Sequence, residues 1–490
     1  MNLHDVSLAF REALPQGDLV ELFRIDAIDR LGIPVAEAAL LPLDGTPSTI
    51  GYGYGFKPIE AEVGALGELC EEVHVGEWVK RAPCISASYA ELLRTRGARH
   101  VADPLTLCLP AGSSWTPEMP LRWVEARRLP SDAAVMVPLE WVAAYPYQIG
   151  EASNLIMPIT NGLGAGFDLE HAIAHGLMEL LQRDGNAVNY RALDQGVVVE
   201  PDAVAEPEVA ALLGHLRAAG IGVTIKLAAD DFGIPNLYVV GDDPQPAIPL
   251  QLTACGEAAH PDRARSLRKA LLEFCGSRSR KAATHGPIES IRQVMPRSMM
   301  ERQMATALAE EQESRAVEAM AEWVALDAEA LRARLAGSVF SERRRVPFSG
   351  LPDAGPEVSA DSALRLRWLV ASLAAEGLET LWIDCSPPGG RVKVVKTIVP
   401  GLESETMSYG RIGWRGVRRL RQRADPLLLD GPREGALPVR LRPQDAERAG
   451  GPAWFDAALA QRKVAGLYPL YRESGPFAAQ LLLARQRSAA

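Results

Sequence analysis

The stretch Asn161-Gly-Leu-Gly-Ala-Gly-Phe-Asp-Leu-Glu-His-Ala-Ile-Ala-His-Gly-Leu-Met-Glu-Leu-Leu-Gln-Arg-Asp184 decides how the chain is read. Leu169, Ile173, Leu177, Leu180 and Leu181 recur at spacings of three and four, which predicts a helix over 169–184 with one buried face. The opposite arc carries His171, His175, Glu179 and Gln182, four groups able to meet a metal or a nucleotide. Arg183 sits beside them and can grip a phosphate bidentately. The lead-in from Asn161 to Gly166 is not a Walker A loop, because Gly-Lys-Ser/Thr is missing, and it lacks the Rossmann spacing. It remains a glycine-rich loop opening a helix, where backbone N–H groups can face an anion.

A second helix, predicted over 58–74, repeats the design. Ile59, Val63, Leu66, Cys70 and Val73 form its apolar stripe, and Glu68 and Glu71 lie one turn apart on the other side. An isolated E-x-x-E is ordinarily a solvated face. Here Gly64 and Gly67 border the pair, and interior helix glycine costs about 1 kcal/mol relative to alanine. Small residues beside two carboxylates point to a close approach. The preceding Gly51-Tyr-Gly-Tyr-Gly55 reads as backbone near a ligand, or as an irregular turn.

Around these helices, apolar runs alternate with amphipathic stretches, which predicts an α/β or α+β class. Strands are expected over 19–25, 133–137, 222–226, 237–240, 381–383 and 392–399, the last being largely β-branched and therefore buried. Further helices are expected over 87–97, 207–219, 262–278, 299–336 and 362–377, with 299–336 read as two peripheral helices. The domain reading is one body over 1–425 with a C-terminal appendage over 426–490.

The chain's 490 residues are 47% hydrophobic and 23% charged, ordinary for a globular protein with a sizeable core. Lys and Arg number 52 against 62 Asp and Glu, and the net charge of −10 with no basic stripe argues against nucleic acid as a partner. No apolar run approaches a membrane span and no signal peptide is visible, so no membrane association and a cytoplasmic location are expected. The six cysteines include no C-x-x-C pair, which fits reduced, packing thiols. Arg278 and Arg280 end a helix, where cations favour the dipole; a phosphate clamp is the alternative reading.

Taken together, the chain resembles the YcaO family. The resemblance rests on residues 23–35, 61–71 and 161–184, on 260–278, and on 392–403 with its ending Pro400-Gly-Leu-Glu403, all in the family's order and spacing. It implies an α/β fold that binds ATP and Mg²⁺ between helices. It also implies activation of a backbone amide in a ribosomally made peptide, giving azoline, thioamide or amidine products. By resemblance, the metal-binding positions are Glu68, Glu71, Glu179 and Gln182, and the cofactor-binding positions are Arg24, His171, Arg183 and Arg278. No catalytic residue is assigned. The implied partners are a precursor peptide, a leader-binding or sulfur-delivery protein, and a second copy in a homodimer.

The sequence departs from the family pattern at Tyr54, Gly64, Glu72, Phe167, His171, Gln182 and Gly276, each removing or inverting a charge or hydrogen bond expected around ATP. The final Arg485-Gln-Arg-Ser-Ala-Ala490 lacks the Pro-x-Pro-x-Pro ending of many azoline-forming members, which by resemblance favours thioamide-type or otherwise non-azoline chemistry, or a partner-dependent enzyme. Two alternatives stay open. One is a scaffold that presents a peptide to another enzyme. The other is a metal-dependent enzyme without ATP, using His171, His175 and Glu179, whose imidazoles suit Zn, Fe, Mn or Ni.

Overall fold

The computed structural model describes residues 2–150, 155–202, 204, 206–307, 314–403 and 410–489. Strands β1 (Leu19–Arg24), β2 (Val35–Leu41) and β3 (Thr49–Tyr54) form an antiparallel sheet in that order. Next along the chain come β4 (Ile85–Ser88), β5 (Pro120–Leu129), β6 (Ala133–Pro138) and β7 (Leu163–Gly166). They are followed by β8 (Val197–Glu200), β9 (Gly222–Ala229), β10 (Asn236–Asp242), β11 (Cys255–Ala259) and β12 (Arg344–Pro347). Then come β13 (Thr380–Asp384) and β14 (Lys393–Ile398). The second sheet runs β4-β5-β13-β14-β7 with β6 paired to β5, and the third runs β11-β10-β9-β8-β12. The class is mixed α/β, and β14 is the buried strand its β-branched residues predict: Val394 and Val395 are wholly buried.

Three long helices matter most: α1 (Pro58–Arg81), α2 (Leu169–Asn186) and α3 (Arg263–His285). Helix α1 runs past its predicted end, to Arg81, because Val75 and Val79 keep its apolar face in the core. A strand lies directly along each helix, and a glycine in that strand makes the contact. A Cβ on Gly53 of β3 would sit 2.0 Å from the Ala61 carbonyl oxygen of α1. One on Gly164 of β7 would sit 2.0 Å from the Ala172 oxygen of α2, and Gly256 of β11 makes the same approach to Ala270 of α3. The Gly51–Gly55 stretch is therefore not an irregular turn: Gly51 to Tyr54 lie in β3. It is a strand whose small face rests on a helix, and Gly64 is the matching hollow, its own Cβ position 3.1 Å from the Gly53 Cα.

Elsewhere the differences from expectation have local causes. The first residues of the 87–97 segment belong to β4, and the helix begins at Tyr89 after Ser88 accepts the Glu91 N–H as its cap. The 299–336 segment holds Arg297–Thr306, Ser314–Ala325 and Ala328–Ala336, with 308–313 outside the described residues. These helices are not peripheral: Met299, Met320, Trp323, Leu331 and Leu335 are fully buried. Beyond residue 426, Phe455, Val464 and Tyr468 join the core that contains Leu177 of α2, and Leu467, Leu470 and Ala479 join the one beneath β10. The expected appendage is thus packed into the body. Five of the six cysteines are buried and all are unbridged. Among the described residues, no helix is long and apolar enough to cross a membrane.

If glycine sets the strand–helix distance, Gly53→Ala should cost about 1–3 kcal/mol by overpacking. Gly214→Ala, in helix Pro207–Ala218 with nothing within 4 Å of the added methyl, should gain about 1 kcal/mol. Denaturant melts of the two variants check both signs.

Candidate functional site

The strand-on-helix contacts also aim the carboxylates. On α1, Glu68 accepts the Tyr52 backbone N–H of β3 at 2.5 Å. On α2, Glu179 accepts the Gly162 backbone N–H, just before β7, at 2.9 Å. The Ala165 backbone N–H of β7 faces Glu71 and partly opposes the rise of its carboxyl. The glycine-rich segments therefore do offer N–H groups to anions, but the anions are the protein's own glutamates.

The three carboxylates act on one another. Burial raises the Glu71 carboxyl well above its ordinary value, with Glu179 and then Glu68 adding to the rise. Burial likewise raises Glu68, and Glu179 again adds to the rise. Such mutual repulsion is what a bound cation relieves. Two further carboxylates approach. Glu257, on β11, accepts the Tyr190 hydroxyl at 2.7 Å and lies 3.5 Å from both Arg183 and the Gln182 amide nitrogen. Glu273, on α3, accepts the Tyr54 hydroxyl at 3.1 Å and is raised by burial to about 7. Glu257 carries no site signal in the sequence, being an isolated acid on an apolar strand, whereas Glu273 lies inside the family-like segment 260–278 without being singled out there.

Cations border the group. Arg183 lies 3.7 Å from Glu179. Lys269 of α3 acts on Glu68 and Glu273, and Lys396 of β14, near Glu179, is pushed down to about 8 by burial. Arg280 reaches over the Tyr52 ring, its guanidinium carbon 5.4 Å from the centroid.

The remaining expected residues fall in different places. His175 Nε2 is 4.0 Å from Glu71, and the His171 and His175 rings stack at 6.5 Å. Among the described residues, no three His, Cys, Asp or Glu groups are drawn into a ready-made metal nest. Arg24 is 45% exposed and clasps Asp26. Arg278 is wholly buried and spent on the fold: it holds Asp29 at 2.9 Å, Asp243 at 3.0 Å and the Gln251 carbonyl. Its Nε and Nη2 donors are thereby committed to Asp29 and Asp243. Asp184 and Glu403, which close two of the family-like segments, are also buried in structural pairs with Arg415, Arg419 and Arg191. Glu72 accepts the Tyr145 hydroxyl at 2.5 Å.

Fold and site define an α/β protein with an acidic, cation-bordered group held between helices. A family model described as YcaO cyclodehydratase, ATP- and Mg²⁺-binding, matches residues 52–403. That is well over half of the chain, and the chain belongs to the YcaO family. An uncharacterised protein of Methanothermobacter thermautotrophicus is 28% identical over 411 residues, covering 83% of this chain and 95% of that protein. A Rhizobium leguminosarum bv. trifolii protein, named only as uncharacterised in the tfuA 3′ region, is 24% identical over 426 residues, covering 84% and 90%. The solved YcaO of Methanopyrus kandleri bound with AMPPCP and Mg²⁺ has a TM-score of 0.58 at 20% identity, covering 84% of this chain and 92% of that one. A heterocyclase solved with substrate and cofactor has a TM-score of 0.61 at 20% identity over 82% of this chain. The present chain spans 52% of that heterocyclase's length. These structural likenesses establish the shared fold.

Burial raises the Glu72 carboxyl from 4.5 to about 8, with Glu68 adding to the rise and the Tyr145 hydroxyl opposing it. An acid with a raised folded pKa holds its proton better folded than unfolded. Its contribution is therefore full below the unfolded value and is lost as pH rises through the folded one. Glu72→Gln should gain stability relative to the parent between about pH 5 and about pH 8. Thermal melts across that range check it, and a constant gap between the two proteins contradicts it.

Proposed function

We propose that the protein uses ATP and Mg²⁺ to activate a backbone amide of a ribosomally synthesised precursor peptide, toward a thioamide- or azoline-type product. What supports this is that Glu179 on one helix raises the carboxyls of both Glu68 and Glu71 on the other, with Arg183 3.7 Å from Glu179 and with Lys269 and Arg280 acting on Glu68. The donor set fits. Mg²⁺ takes hard oxygen ligands, commonly one or two carboxylates completed by phosphate oxygens and water. Carboxylates that raise one another despite the cations at their border match that need.

Glu68, Glu71 and Glu179 would hold the metal. Gln182 adds no charge, and its amide is turned toward Glu257. Arg183, Lys269 and Arg280 would face phosphate oxygens, whose charge they neutralise in phosphoryl transfer. When bound, ATP supplies the phosphoryl group that makes an amide oxygen leave. The chain's residues position and charge-balance that group. A peptide substrate, a leader-binding or sulfur-delivery partner, and a homodimer complete the reading.

Calorimetry with Mg²⁺ and a non-hydrolysable ATP analogue tests it. Glu68→Gln and Glu179→Gln should each weaken binding about tenfold or more. Gln182→Glu should tighten it several-fold by restoring a charge. His171→Ala should leave analogue affinity within about threefold of the parent, since every 1.4 kcal/mol is tenfold and no ion pair of His171 is lost. If the parent binds no analogue but loses a co-purifying transition metal on His171→Ala, the histidine-metal reading replaces this one. If it binds neither, the peptide-scaffold reading does.

A further inference from the structure

The family match ends at Glu403, yet the tail beyond residue 426 returns to the site along the C-terminal end of α3. Three contacts anchor it there. Phe477 is fully buried and its N–H donates to the Thr284 carbonyl at 3.3 Å. The Gln480 amide donates to the Thr284 and Gly286 carbonyls at 3.2 and 3.1 Å, satisfying acceptors that the helix end leaves open. Tyr471 packs edge-on against Tyr190 at 4.7 Å, and Tyr190 is the residue that donates to Glu257.

Between these anchors sits Glu473. It takes Arg280 through both oxygens, from Nε at 3.3 Å and Nη2 at 3.0 Å, with Lys281 at 3.4 Å and His285 at 3.8 Å. The grip uses one edge of the guanidinium fork. Among the described residues, Arg280 Nη1 has no partner, and the side chain stays 36% exposed. The same guanidinium covers the Tyr52 ring, and the Tyr52 N–H pins Glu68. A continuous chain of contacts therefore runs from the tail to the carboxylates: Glu473, Arg280, Tyr52, Glu68.

A competing acceptor lies close by. Glu37 stands opposite Tyr52 across β2 and β3, is 1% exposed, and has neither oxygen hydrogen-bonded. Arg280 is among the charges that act on it. Burial pushes the Glu37 carboxyl up to about 8 and Arg280 opposes that rise, so the guanidinium is drawn to this acid as well as to Glu473.

We propose that the C-terminal tail is a working part of the site, with Glu473 as the positioning residue that keeps the free edge of Arg280 turned to a phosphate group bound at the carboxylates. The inference rests on the Mg²⁺-nucleotide reading of Glu68, Glu71 and Glu179. Glu473 touches no substrate; it acts through Arg280, as a second carboxylate acts through a ligand it orients. A bidentate, charge-assisted pair supplies the fixed direction that a lysine would not.

The experiment uses the full-length chain and Mg²⁺ with a non-hydrolysable ATP analogue, read by calorimetry beside thermal melts. Glu473→Gln should weaken analogue binding about tenfold or more. Arg280→Lys should weaken it as much, and the double variant no further, because both changes break one linkage. Glu473→Asp, which keeps the charge, should recover most of the loss, whereas a merely structural defect would not follow charge. Independently of any variant, the bound analogue should shield Arg280 in the parent chain from phenylglyoxal, as read by mass spectrometry. Unchanged affinity in Glu473→Gln, multiplicative losses in the double variant, or unshielded Arg280 each overturn the role of the tail while leaving the site reading intact. A parent chain that binds no analogue overturns both.

Discussion

The depth at which three strands can lie on three helices is set by the absence of a side chain. Gly53, Gly164 and Gly256 each place a strand backbone where any Cβ would collide with a helix carbonyl. That close approach brings backbone N–H groups within bonding distance of glutamates on the helix surface. Tyr52 therefore reaches Glu68, and Gly162 reaches Glu179. Packing and site are thus one construction: the contact that buries the helix is the contact that aims its carboxylate.

Two electrostatic regimes coexist around it. Away from the site, buried charges are matched closely. Arg278 takes Asp29 and Asp243, Arg191 takes Glu403, and Arg415 with Arg419 share Asp184. Removing one member of such a pair strands the other in a medium where an unpaired charge is costly. At the site, acids outnumber the cations that bond them directly, and Glu68 and Glu71 are raised by burial and by their neighbours. Among these networks the site is where repulsion between carboxylates is left standing.

The departures from the family pattern thin the charge of this site without dispersing it. Gln182 contributes an amide where a carboxylate is expected, and Glu72 accepts the Tyr145 hydroxyl. Glu257 on β11 and Glu273 on α3 stand beside them, fastened by Tyr190 and Tyr54. The tail beyond the matched region adds Glu473 behind Arg280. The acidic character is thus shared by α1, α2, α3 and β11.

The helical faces were legible from sequence because amphipathic period is a local property. Ile59, Val63, Leu66 and Cys70 must turn inward, so Glu68 and Glu71 must turn the other way, and the same logic sets Ile173 and Leu177 against His175 and Glu179. The β-branched run ending in Ile398 declared its strand for a similarly local reason. The meeting of Glu68 with Glu179, the loss of Arg278 to Asp29 and Asp243, and the return of Glu473 to Arg280 were decided only by tertiary structure. The residues of each pair lie far apart along the chain, and no local periodicity encodes a partner. An arginine reads the same in sequence whether its fork is closed on a buried aspartate or left open on one edge. Burial and the neighbour across the helix determine which, and both exist only once the chain has folded.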